Sequence, residues 1–512
     1  MIEILSQLMT VQCLIALVAG TAGGLLIGAL PGLSATMGMS LLIPITYGMD
    51  TAPAMIMIAA VYVSAVYGGS FSAILIHTPG TPASAATAID GYELTRQGKG
   101  LQAVGVSSIA SVTGGVISAV ALLFLAPQLV KISLMFSSPE YFLIALFGLT
   151  IVGSLSGGNM LKGLAAAALG LLLGMVGMNI FPYARYSFRN LNLASGIQLV
   201  PAMIGLFSIT QVLIQAEKLP AALRALKSGE KDEALGQQIE NARNMKGSFF
   251  PPMKEFKTLL PVILRASVLG IFVGILPGAG GDIGSWVGYN DAKTHSKNKE
   301  LFGKGSLEGV AGSEAGNNAV CGGALIPALT LGIPGSGAAA VLLGALTVQG
   351  FAPGHDLFNK YASITYAILI GFLVANILMG VFGFLIAKRA VKLAAMPLGI
   401  LLPVIMLLSV IGSFAIRNNI FDVYVMMFFG VIGYLMRKID MPAAPVVLAL
   451  ILGPMAERNL INSMQMAKVS LISYYMSRPL CWLFLLLILA SLFSPLISRW
   501  MKSRKAGNRV TG

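Results

Sequence analysis

Apolar stretches of nearly 20 residues recur along the chain, separated by short polar loops. As helices, such stretches are long enough to cross a hydrocarbon core of about 30 Å. The pattern predicts an all-α polytopic membrane protein with roughly eleven or twelve spanning helices. Several of these stretches are broken. Residues 24–32 read GLLIGALPG and residues 270–278 read GIFVGILPG, and both fit G-x3-G-x-L-P-G. A second Pro-Gly break follows in each half, in HTPGT at Pro79-Gly80 and in GIPGS at Pro334-Gly335. In both halves a glycine, Gly68 or Gly323, stands eleven residues before that proline. Paired Gly/Pro interruptions at matching places in two apolar halves point to the binding site of a secondary transporter.

The same pattern sets the organisation. Residues 1–216 form a first transmembrane repeat and 258–500 a second. A polar linker, 217–257, joins them, and a basic tail, 501–512, follows. The spans after the breaks include ALGLLLGMVG, a small-residue spacing that suits close helix packing. The ladders Gly20, Gly24, Gly28 and Gly270, Gly274, Gly278 read as packing faces rather than ligand contacts. The start, MIEILSQLM, lacks a basic leader and reads as the approach to a retained first helix.

Composition changes the picture in one respect: it removes a soluble alternative. Charged residues make up 11% of the chain and hydrophobic residues 56%, with a mean hydropathy of +0.82. Soluble domains carry about 25% charged residues, so this chain could not cover a soluble core. Three scattered cysteines, Cys13, Cys321 and Cys481, have neither metal nor disulfide spacing. The net charge of +14 is not a nucleic-acid signature, because the excess sits in short loops, the linker and the tail, without interleaved aromatics. It is the bias of cytoplasmic loops.

The loops also relate the halves. After Pro31 comes TYGMDTA, without Lys or Arg, whereas after Pro277 comes the basic NDAKTHSKNKELFGK. After the second breaks the bias reverses: GYELTRQGKG in the first half, FAPGHDLF in the second. Equivalent loops therefore face opposite sides, which predicts two inverted-topology repeats with re-entrant segments. The N-terminus is then periplasmic, and the linker and C-terminus cytoplasmic. Arg185 and Arg189 fit this orientation less well.

A Pro-Gly inside an apolar segment frees backbone groups that lipid cannot satisfy, so that backbone must be buried in protein or line a wet cavity. The helix that restarts beyond it offers free N–H groups and a positive dipole end. Two such ends suit a carboxylate-bearing anion, with the hydroxyls of Thr78, Thr81 and Ser336 adding hydrogen bonds; freed carbonyls could instead hold Na⁺. The candidate substrate-binding residues are Pro31, Gly32, Thr78, Pro79, Gly80, Thr81, Pro277, Gly278, Pro334, Gly335 and Ser336, with Asn317 and Asn318. Glu314, Asn317 and Asn318 share a helical face by spacing. An intramembrane carboxylate is costly and usually functional, so Glu314 is a coupling-ion candidate, the alternative being a place at the membrane interface. Asp282 serves a cation or caps its helix. His77 is the third coupling-ion candidate, packing being its ordinary alternative. Asp90, in AIDGYE, reads as the end of a short helix, and Tyr67 as a buried aromatic with a polar tip. No metal beyond a possible Na⁺ and no cofactor is expected. The rival classes are an uncoupled anion channel and an intramembrane hydrolase using Ser70 or Ser72 with His77.

GALPGLSATMGMSLLIPITYGMD, YGGSFSAILIHTPGTPASAATAIDGY, GILPGAGG and EAGNNAVCGGALIPALTLGIPGSGAAAVLLGAL resemble the large membrane subunit of the tripartite tricarboxylate transporters over nearly the whole chain. The resemblance implies a bacterial inner-membrane secondary importer of di- and tricarboxylates such as citrate. It also implies two partners, a small four-helix-type membrane subunit and a periplasmic solute-binding protein. Import would be driven by an Na⁺ or H⁺ gradient; agreeably, the chain has no G-x4-G-K-[ST] phosphate loop. The family's Pro-Gly loops and Asn pair map onto Pro31-Gly32, Pro79-Gly80, Pro277-Gly278, Pro334-Gly335 and Asn317-Asn318. Relatives often carry Ala-Pro-Glu before the Asn pair, where this chain has Gly312-Ser313-Glu314, and some carry Asn in place of His77.

Overall fold

Several helices begin where the sequence supplies a capping hydroxyl, and several end at a left-handed residue or just before a Pro-Gly. In a computed structural model, Val11–Ala29 (α1) starts at Thr10, whose side chain accepts the Cys13 N–H, and stops just before Pro31. Ala35–Thr46 (α2) is capped by Ser34. Thr51–Ile76 (α3) ends on His77 at φ 51°. A 3-10 turn, Pro82–Ser84, leads into Ala85–Arg96 (α4). Gly100–Ser133 (α5), Ser138–Leu155 (α6), Met160–Gly174 (α7) and Leu199–Glu217 (α8) complete the first half. Met253–Ile275 (α9), Gly280–His295 (α10), Leu307–Leu331 (α11) and Gly337–Val348 (α12) open the second, with Ser306 and Ser336 capping the last two. Ala362–Ile386 (α13), Leu398–Ala415 (α14), Ile420–Lys438 (α15) and Ala444–Met466 (α16) follow, then a short apolar helix, Pro479–Leu492 (α17).

The structure describes residues 6–30, 32–155, 160–178, 181, 183–217, 248–278, 280–387, 389–390, 398–467 and 470–492. Pro31, most of the linker 217–257 and the tail 501–512 lie outside them. Among the described residues eight helices are long and apolar enough to cross a membrane. Five apolar helices are shorter, including α2 and α12, which restart after breaks. The all-α polytopic expectation holds; the sole sheet among the described residues is a two-residue pairing of Gly177–Met178 (β1) with Ala184–Arg185 (β2).

The chain packs as two compact units, and these do not follow the sequence halves. One comprises Met1–Val130 with Val200–Tyr434, the other Lys131–Leu199 with Leu435–Gly512. In the second unit α6, α7 and α16 share an apolar core of Ala145, Leu149, Ala167, Ala449 and Leu452. A methyl on Gly170, in the small-residue spacing of α7, would lie 2.5 Å from the Val446 carbonyl oxygen. Buried Glu140 takes the Arg478 Nε–H at 2.5 Å and the Ser137 N–H at 2.9 Å. Arg185, which fits the charge bias poorly, pairs with Glu457 at 2.8 Å.

The first unit holds all four breaks. Its two central pairs are α1 on α3 and α9 on α11, and the glycine ladders set their closeness. Methyls on Gly20, Gly24 and Gly28 would lie 2.6, 2.8 and 2.1 Å from carbonyl oxygens of α3. Methyls on Gly270 and Gly274 would meet those of Gly316 and Val320 at 2.4 and 2.6 Å. The ladders are packing faces as expected, except that Gly278 has left the helix and adopts φ +80°.

Candidate functional site

The two second breaks are built alike, atom by atom. Helix α3 closes with the Thr78 N–H bonded to the Ser72 carbonyl at 3.2 Å, and α11 closes with the Ile333 N–H on Pro327 at 3.2 Å. The left-handed residue at that end is His77 in one half and Gly332, at φ +74°, in the other. The chain then turns back. The Gly80 N–H reaches the Gly69 carbonyl and the Gly335 N–H the Ala324 carbonyl, both at 3.3 Å. Each glycine rests on the helix ending in the first break. A methyl on Gly80 would lie 2.1 Å from the Gly28 carbonyl oxygen, and one on Gly335 2.0 Å from that of Gly274. Gly68 and Gly323 are spaced alike from the breaks because they too pack there, on Gly28 and Gly274. The N–H groups of Gly80 and Gly335 are thus engaged in backbone bonds. The next residues, Thr81 and Ser336, are buried and cap the restarting helices.

Each restart packs on the other half: the turn Pro82–Ser84 on α10, and α12 on α2 and α3. Two helical residues, equally far ahead of the breaks, meet these restarts. Tyr62 on α3 places its hydroxyl 3.1 Å from Ser336 Oγ, which also accepts the Ala339 N–H at 3.1 Å. Asn317 on α11 lies against Gly281 and Ala83, fully buried, and neither its Oδ1 nor its Nδ2 has a hydrogen-bond partner. Next to Ala83 and Gly281, Pro82 and Asp282 line a groove of about 490 Å³ with Ile283, Trp286, Val287 and Asn290. That volume lies within the range of about 300–1,000 Å³ usual for small-molecule sites. Nothing in the sequence marked Tyr62; counting back equally from Pro79 and Pro334 would have found it.

Glu314 is buried to 0% exposure, two turns into α11. Three helices of the first half bring hydroxyls to it. Ser70 Oγ of α3 donates to Oε2 at 2.6 Å, Ser111 Oγ of α5 donates to Oε2 at 2.8 Å, and Thr87 Oγ1 of α4 donates to Oε1. Asn318 Nδ2 donates to Ser111 Oγ at 2.8 Å. The shared face is therefore divided: Glu314 and Asn318 turn to these hydroxyls, Asn317 to Ala83 and Gly281. Thr87 lies within the motif YGGSFSAILIHTPGTPASAATAIDGY, where nothing singles it out, and Ser111 lies in no motif.

The remaining candidates are scattered. Gly32, at φ +84°, faces the amides of Gln211 and Gln215 on α8, neither marked by the sequence. Pro277 is buried and Gly278 half-buried at the end of α9. Thr78 is exposed and its hydroxyl donates to the Ile76 carbonyl at 3.1 Å, Pro79 is half-buried, and Pro334 is buried. Asp282 is exposed in the first turn of α10. His77 is exposed, its ring 4.7 Å from Tyr92. Ser70 is engaged with Glu314, and Ser72 donates to the Gly69 carbonyl at 3.3 Å. Neither serine hydrogen-bonds His77, so the hydrolase arrangement is not formed. Asp90 does not end a helix: α4 runs on to Arg96. Asp90 is fully buried, and its Oδ1 accepts the N–H groups of Gly303, Gly305 and Ser306 at 2.7, 2.9 and 2.9 Å. It thereby fixes the loop that starts α11.

His77 occupies a left-handed position that costs a residue with a Cβ about 1–2 kcal/mol, and the other half uses glycine there. His77→Gly is expected to leave folding intact and raise stability by up to about 1 kcal/mol in thermal unfolding of the detergent-solubilised chain. A fall in stability would show that the ring's packing on Tyr92 outweighs the backbone strain.

A family model described as the tripartite tricarboxylate transporter TctA family matches residues 14–448. An uncharacterized 52.8 kDa protein in the TAR-I ttuC' 3' region of Agrobacterium vitis is 34% identical over 455 residues, covering 89% of this chain and 86% of its own length. A second uncharacterized protein, in the TAR-II ttuC' 3' region of the same organism, is 36% identical over 195 residues, covering 38% of this chain and 81% of its own. No solved structure matches. The paired broken helices and the family match agree: the chain belongs to the tripartite tricarboxylate transporter TctA family, a multi-pass membrane component of a transporter and not an enzyme.

Proposed function

We propose that this chain is the permease of an importer for small organic anions, di- or tricarboxylates such as citrate, in a bacterial inner membrane. A periplasmic solute-binding protein delivers the anion, a small membrane subunit completes the assembly, and a Na⁺ or H⁺ gradient drives accumulation. The observation that carries this reading is the duplicated restart. Two helix N-termini, headed by Thr81 and Ser336, are each met by a buried polar side chain from an equivalent position, Asn317 and Tyr62. Helix N-termini favour anions, and hydroxyl and amide donors add charge-assisted hydrogen bonds to a carboxylate. The asymmetry of amide at one end and phenol at the other suits an anion with unlike ends. The halves lie in the membrane as inverted repeats, N-terminus periplasmic and C-terminus cytoplasmic, and the break regions move against the rest to alternate access.

Uptake of labelled di- and tricarboxylates, with each component omitted in turn, tests the reading. Ser336→Ala and Thr81→Ala are expected to weaken apparent affinity about tenfold each, the usual loss for one hydrogen bond to a charged group, with normal membrane insertion. Normal uptake in both variants would defeat the site assignment. Equilibration without accumulation against a gradient would favour an uncoupled channel instead.

A further inference from the structure

The Glu314 cluster has the composition of a cation site. Its carboxylate is fully buried, and its side-chain partners are neutral hydroxyls. An uncompensated buried charge costs several kcal/mol, so the cluster as a whole attracts positive charge. It also holds oxygen atoms in reserve. Asn318 Oδ1 is buried without a hydrogen-bond partner while its Nδ2 is fixed on Ser111 Oγ. The Ser107 hydroxyl, one turn before Ser111 on the same face of α5, is likewise buried without a hydrogen-bond partner. Hydroxyls can donate to the carboxylate in one state and turn their lone pairs to a cation in the other. An all-oxygen set of this kind suits a hard cation.

The two halves differ at this cluster. The position equivalent to Glu314 in the first half is Ala59. The positions equivalent to Ser70 and Thr87 in the second half are Leu325 and Leu342. All three are buried and apolar. The duplicated scaffold therefore carries the cluster once.

We infer that Glu314, Asn318, Ser70, Thr87, Ser107 and Ser111 form one binding site per chain for a monovalent cation, a proton or a sodium ion. In naming that cation the coupling ion, the inference rests on the importer reading; the binding itself does not. Because Glu314 and Asn318 belong to α11 and the hydroxyls to α3, α4 and α5, occupancy ties the second half to the first. Release of the cation loosens that tie, which is what a coupled transporter requires of its ion.

The test uses the purified full chain in lipid vesicles at constant ionic strength, with choline replacing sodium. Binding of ²²Na⁺ is measured directly, and protonation is followed by the infrared carboxyl band during a pH titration. One sodium per chain, lost in Glu314→Gln, would support the site with sodium as occupant. A single titrating carboxyl band, lost in the same variant without sodium binding, would support it with the proton. Ser70→Ala, Thr87→Val and Ser111→Ala should each weaken binding about tenfold. They also decide the matter if Glu314→Gln fails to fold. Wild-type cation binding in folded Glu314→Gln, or binding unchanged in all three hydroxyl variants, would overturn the inference and leave carboxylate import standing. Intact cation binding with no carboxylate uptake would instead fault the importer reading alone.

Discussion

Gly335→Ala and Gly80→Ala are each expected to remove most of the folded protein from the membrane. The added methyl would stand 2.0 Å from the Gly274 carbonyl oxygen in one case and 2.1 Å from that of Gly28 in the other. Both obstacles are helix backbone, so no side chain can swing away. Overpacking in a dense core costs about 1–3 kcal/mol, and a clash with backbone on this scale falls at or beyond the upper end. Thermal unfolding of the detergent-solubilised chain, with yield from size-exclusion chromatography, measures the effect. Gly23→Ala is the control. It lies in α1 between Gly20 and Gly24, yet nothing stands within 4 Å of its added methyl, and the gain in helix propensity is about 0.5–1 kcal/mol. Comparable yields for Gly23→Ala and Gly335→Ala would show that the close approach of the breaks to α1 and α9 is not what holds the fold.

The second large effect is expected at Asp90. Asp90→Ala leaves the N–H groups of Gly303, Gly305 and Ser306 without their acceptor. The buried Ser306 N–H, left an orphan, costs about 1–3 kcal/mol, and the partly buried bonds of Gly303 and Gly305 add smaller losses. The damage should be local before it is global, because the loop sets the start of α11 at Ser306 and thus the height of Glu314. Hydrogen exchange across residues 302–310 should rise by orders of magnitude in Asp90→Ala, with Asp90→Asn between it and the wild type. Unchanged exchange in that segment would mean that the loop is held by its other packing, through buried Phe302 among Ala86, Tyr289 and Ala292.

These two sites mark where sequence reasoning reached and where it stopped. The Pro-Gly breaks, the spacing of Gly68 and Gly323 and the ladder glycines were legible because each is a local demand of backbone geometry or helix packing. The equivalence of the second breaks extends to the atoms that close α3 and α11, including the left-handed residue at each end, His77 and Gly332. Asp90 looked like a helix terminator because aspartate is common at helix ends. Its partners are more than 200 residues away, and no local pattern announces them.

By itself the sequence determined the helical membrane class, the duplicated breaks, the family and the identity of Glu314 as an unusual carboxylate, because apolar run length, proline, glycine and intramembrane charge act through local chemistry. Only the tertiary structure decided which hydroxyls meet Glu314, that Asn317 and Asn318 face different neighbours, and that Tyr62 meets Ser336. Serine and threonine inside buried helices can satisfy themselves on their own backbone, so their sequence positions say nothing of a partner. That choice is made by the packing of α3, α4 and α5 on α11, which brings together residues 203 to 244 positions apart.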